Sequence, residues 1–150
     1  YKHREYLPYR DAEYFSHAGR EAYFDGIAPP IFEDAVILID PDNGLEVESM
    51  RRGNGHKYLK YSELSELYNR MGTNSLLLIY QHIPRVERGA YFAAIGRKIR
   101  SCTGTKGPVC LSNNIIAFFI VTKTDELLDK TWRVAAEYVK DRDKMHAELL

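Results

Sequence analysis

The stretch AVILIDPDNGLEV, residues 35–47, decides how this chain is read. Taken with the preceding acid, "DAVILID" is a continuous apolar, β-branched run, the pattern of a strand buried on both faces. Asp40-Pro41 stops it, and Pro41, Asp42, Asn43 and Gly44 are all turn formers. A turn accounts for Pro41 and Gly44. It accounts less well for Asp40 at the end of a buried strand, where an unpaired carboxylate is costly. Asp40 is therefore the first candidate functional group.

Working outward, "NSLLLIYQH" (74–82) reads as a second strand of the buried type. Between the two lie the glycine-containing loop "RRGNGHK" and a helix in "YSELSELYNRMG". Ser62 is that helix's expected N-cap, Leu64, Leu67, Tyr68 and Met71 its apolar stripe, and Gly72 its stop. "VERGAYFAAIGRKIRS" predicts a helix with Phe92, Ile95 and Ile99 on one face. "PVCLSNNIIAFFIVTK" predicts two antiparallel strands around "SNN". Residues 124–150 read as one long helix capped by Thr124, with Leu128, Trp132, Ala135 and Val139 buried. Before the first strand, residues 10–26 form a helix pattern with Tyr14, Phe15, Ala18 and Ala22 near one face. Gly26 and Pro29-Pro30 end it.

Alternating helices and strands predict a single α/β domain over residues 1–150. The expected architecture is Rossmann-like: a mostly parallel sheet, helices on both faces and an antiparallel C-terminal strand pair. In such sheets ligands bind beyond the carboxyl ends of the strands. If the first two strands are neighbours, Asp40, Asp42, Asn43 and Glu46 share one crevice with Gln81, His82 and Arg85. Asp40 and His82 are the expected catalytic groups, and Asp42, Asn43, Gln81 and Arg85 the substrate contacts. His82 suits a base, a metal ligand or a polar contact alike.

Composition narrows the classes. The chain is 45% hydrophobic and 28% charged with a formal net charge of zero, so no global field draws it to polyanions. A nucleic-acid partner would need a local patch, and Arg51, Arg52 and Lys57 in the glycine-containing loop are the candidates. No apolar run reaches the length of a membrane span, which predicts no membrane partner and a cytoplasmic protein. Cys102 and Cys110 match no zinc or redox spacing and are expected to be reduced thiols. The chain opens at Tyr1 without a methionine and reads as the C-terminal portion of a longer protein.

Two resemblances attach to these motifs. "LIDPDNGLEV", Lys57-Tyr58 and "LLIYQHIPR" resemble an uncharacterised bacterial and phage family with a strand ending D-P-D-N-G-(L/I)-E, a K-Y motif and a strand ending Y-Q/H-H-x-x-R. The likeness covers roughly residues 35–90. More distantly, the strand ending in Asp40-Pro41 is similar to the D-P-P-Y strand of S-adenosylmethionine-dependent amino-methyltransferases of nucleic acid. That resemblance implies that Asp40 accepts the target amino group and Pro41 shapes the turn. Asp42 and Asn43 replace the family's second proline and aromatic residue. The rival chemistry is phosphoester hydrolysis by a metal-dependent nuclease or phosphoesterase. There Asp40, Asp42 and Glu46 would hold Mg and His82 would assist. The cofactor is thus left open between S-adenosylmethionine and Mg. A third class is a non-catalytic nucleotide- or protein-binding module on a decayed enzyme fold.

Overall fold

A computed structural model describes residues 18–50 and 52–150. The elements are α1 (Arg20–Asp25), β1 (Val36–Ile39), α2 (Tyr61–Arg70), β2 (Leu76–His82), α3 (Arg88–Thr103), β3 (Val109–Ser112), β4 (Ile116–Thr122), α4 (Asp125–Val139) and β5 (His146–Leu149). Short 3₁₀ turns cover Pro29–Phe32 and Arg52–Lys57. The expected helix over residues 10–26 is described only from residue 18. There α1 buries Arg20 and Phe24, while Ala18 and Ala22 are exposed; Tyr14 and Phe15 lie outside the described residues.

The five strands form one sheet in the order β1-β2-β4-β3-β5. Among the described strands only β1 and β2 run parallel; the other strand pairings in the sheet are antiparallel. The Rossmann-like, mostly parallel sheet expected from the alternation of elements is therefore corrected to a mixed, mostly antiparallel one. The reason lies in the hairpin at "SNN". Asn113 Oδ1 accepts hydrogen bonds from the Ile115 and Ile116 amides at 2.7 and 2.9 Å and reverses the chain. β4 then matches β2 along its whole length, from Leu76 opposite Thr122 to His82 opposite Ile116. The four-residue β3 could satisfy only part of that ladder, so the longer strand takes the central place.

The C-terminal helix is also shorter than its pattern. Thr124 caps it, its hydroxyl accepting from the Leu127 amide, and Leu128 and Ala135 are buried as expected. After Val139 the charged run "KDRDK" turns the chain, with Met145 N–H on Arg142 O at 2.9 Å. β5 then closes the edge of β3, which would otherwise be bare. α2 likewise begins one residue before the expected cap. Lys60, not Ser62, is the N-cap, because Glu63 reaches back to the Lys60 amide at 2.8 Å.

Two unequal layers cover the sheet. One face packs Leu77, Ile79, Ala117, Phe119, Val121 and Cys110 against Leu64, Leu67, Phe92, Ile95 and Ile99 of α2 and α3. Phe92 meets Phe119 edge-on at 5.9 Å. On the other face α4 packs on β3, β4 and β5, where Val109, Leu128 and Ala135 form a small cluster with Ile120 and Trp132. A row across that face, Leu38, Leu78, Ile120 and Val109, runs from 59% exposed at the edge to fully buried beneath α4. Among the described residues no helix is long and apolar enough to cross a membrane.

Candidate functional site

The carboxyl ends of β1 and β2 do lie together: Ile39 pairs with Ile79, which brings Asp40 level with Tyr80. The residues expected there serve different purposes. Gln81 is buried, 3% exposed, on the face packed by α2 and α3. Its Oε1 accepts from the Leu45 amide at 2.8 Å and its Nε2 donates to His82 O at 2.9 Å. Gly44 has φ +82°, and a side chain there would run into the Gln81 amide. Both the left-handed conformation and the close approach therefore require glycine. Gln81 is a structural staple, where the sequence suggested a substrate contact.

Glu46 is committed as well. Its Oε1 accepts from the Tyr61 amide at 2.7 Å, satisfying an otherwise free donor in the first turn of α2. The loop that carries it forms a short parallel bridge, Leu45 with Leu59. Asn43 N–H bonds Lys57 O at 2.9 Å, and Leu59 N–H bonds Gly44 O at 3.0 Å. The D-P-D-N-G-L-E and K-Y motifs are thus two halves of one local structure. Arg20 secures its far side, with an ion pair to buried Glu63 and hydrogen bonds to the Gly55 and Tyr58 carbonyls.

Asp40, Asp42, Asn43, His82 and Arg85 are all exposed. Among the described residues, no group of three His, Cys, Asp or Glu side chains is arranged to hold a metal ion. Asp40, Asp42 and Glu46 consequently do not form the expected Mg cluster. Of the basic loop, Arg51 and the Arg52 side chain lie outside the described residues, and Lys57 is half-buried.

A separate cleft of about 350 Å³ opens between α2, α3 and residues 45–49. Tyr61, Tyr91, Glu48 and Lys98 line it. Burial, reinforced by Cys102, Glu46 and Tyr91, pushes the Tyr61 phenol well above its usual range. Burial also pushes Tyr91 up to about 12. Lys98 sits 5.5 Å above the Tyr61 ring and 4.0 Å from Glu48. Both phenols stay neutral through the physiological range, so the cleft offers hydroxyl donors and apolar walls rather than an ionised base.

The feature that sequence reasoning missed is β1 itself. It is an edge strand, not one buried on both faces. Val36 is 51% and Leu38 59% exposed, because α4 stops short of this half of the sheet. Its outer N–H and C=O groups meet no partner among the described residues. The available signal was the pair of acids on either side of a very short apolar run: Glu33 and Asp34 before it, Asp40 and Asp42 after it. Both faces of a deeply buried strand rarely begin and end in unpaired carboxylates.

Comparisons with protein-family models, with curated proteins and with solved structures return no match to this chain.

Proposed function

We propose that this domain is a non-catalytic protein-binding module whose working surface is the outer edge of β1 and the partly exposed sheet face beside it. The carrying observation is the exposure of Val36 and Leu38, side by side on an edge strand that pairs only with β2 among the described residues. Natural edge strands are usually blunted by charge, proline or a bulge. Residues 36–39 are Val-Ile-Leu-Ile and carry none of these, whereas β5 at the opposite edge holds His146 and Glu148. Extended polypeptides bind such edges by adding a strand, with main-chain hydrogen bonds supplying affinity and alternate side chains supplying choice.

The catalytic readings find less to rest on. The amino-methyltransferase resemblance implies a mostly parallel sheet, and the metal reading implies a carboxylate cluster. Gln81 and Glu46 are meanwhile spent on holding the 43–61 loop.

The test is a titration of the domain with a capped, extended peptide of alternating valine and threonine, followed by backbone amide resonances. Shifts centred on residues 36–39, weakened about tenfold or more by Leu38→Lys, are expected. Shifts elsewhere would remove the reading. So would saturable S-adenosylmethionine binding that disappears in Asp40→Ala.

A further inference from the structure

We infer that the strand accepted by β1 carries lysine or arginine on both sides of its apolar core and comes from another protein rather than from a second copy of this chain. The inference rests on the strand-binding reading above and adds the chemistry of the occupant. Glu33 and Asp34 precede β1, Asp40 and Asp42 follow it, and all four are exposed. Among the described residues none of the four joins an ion pair. The bare apolar edge is therefore bracketed by uncompensated negative charge at each end.

That bracket selects against self-association. In an antiparallel pair of β1 strands, the Glu33-Asp34 end of one copy faces the Asp40-Asp42 end of the other. In a parallel pair each acidic end meets its own counterpart. Like charges set opposite each other across strands are destabilising. A strand with basic ends converts the same four carboxylates into attraction, which speeds encounter and fixes register.

The geometry also favours a strand over a helix as occupant. A helix laid on the Val36, Leu38, Leu76 and Leu78 surface would leave the outer β1 backbone groups unpaired. An added strand pairs them and extends the row of apolar side chains by one position. Conversely, an apolar strand without charged ends would gain the ladder but leave the negative charge at either end of β1 unbalanced.

Three capped peptides with one alternating valine–threonine core, ending in paired lysines, serines or glutamates, separate the possibilities. The lysine-ended peptide is expected to bind about tenfold or more tighter than the serine-ended one, with the advantage shrinking as salt is raised. The glutamate-ended peptide is expected to bind more weakly than either. The double variant Asp34→Asn, Asp40→Asn removes one of the two carboxylates at each end, so it should clearly reduce the lysine advantage and leave the serine-ended affinity unchanged. Asp34 has φ +48°, a conformation asparagine also tolerates, so this variant keeps the local backbone. Equal affinities for all three peptides at β1 would overturn the charge inference while leaving β1 as the binding edge. Absence of binding by every peptide would remove the strand-binding reading itself. Lysine-peptide binding that survives Leu38→Lys, or a stable dimer that Leu38→Lys dissolves, would also overturn the inference.

Discussion

Gln81 and Gly44 lock the loop after β1 to the end of β2: the buried Gln81 amide rests against the Cα of Gly44 and accepts the next backbone N–H, that of Leu45, at 2.8 Å. Gly44→Ala forces a side chain into a left-handed position, costing about 1–2 kcal/mol before the collision is counted. Gln81→Ala leaves a buried N–H unpaired, at roughly 1–3 kcal/mol. Because both act on one contact, the double variant should lose less than the sum, since the smaller side chain makes room for the new methyl group. Denaturant unfolding of the cycle measures this, and strict additivity would refute it.

Glu63 joins two functions in one buried carboxylate. It pairs with Arg20 and accepts the Lys60 amide at the start of α2. Breaking a buried pair by removing one partner costs on the order of 3–5 kcal/mol. Glu63→Ala should therefore lower the unfolding midpoint far more than Glu66→Ala, whose pair with Arg70 is partly exposed. Equal losses in the two variants would contradict the account.

Both cysteines are free thiols. Burial, with Glu148 on the neighbouring strand adding to it, pushes Cys110 up to about 12, and burial raises Cys102 too. The thiolate is the reactive species. At mildly alkaline pH a thiol reagent should label the native protein slowly and label both residues rapidly once denaturant is added. Rapid stoichiometric labelling of Cys110 in the native state would show that β3 opens readily.

Glu87 caps α3, accepting from the Ala90 amide at 2.6 Å and the Gly89 amide at 2.8 Å. These bonds hold its carboxyl below the usual carboxylate range. The folded value lies below the unfolded one. Its contribution to stability is thus complete above the unfolded value and fades as pH falls through the folded value. Glu87→Gln should flatten the acid limb of the melting-temperature profile and change its shape little near neutrality. An unchanged acid limb would argue against the cap.

Local structure was largely legible in the residues. The Phe92, Ile95 and Ile99 stripe, the Thr124 cap and the "SNN" reversal all depend on near neighbours in sequence. Strand order did not follow, because alternation of helices and strands is compatible with β4 taking the place beside β2. Residues 146–149 were hidden inside a helical pattern, since their strand state depends on the open edge of β3. For the site, proximity of the β1 and β2 ends was readable, but the roles of Gln81 and Glu46 were not. A buried amide staple and a helix cap look the same in sequence as ligand contacts.

The residues alone determine an α/β domain with an apolar run that stops at Asp40, a turn that needs Gly44, and acids on both sides of β1. Those follow from side-chain chemistry and backbone preference. Only the tertiary structure decides that β1 stands at the edge, that α4 packs on β3, β4 and β5 rather than on β1, and that Val36 and Leu38 meet solvent. Exposure is a property of what packs beside a strand, and the partner that would cover β1 is not written in β1 itself.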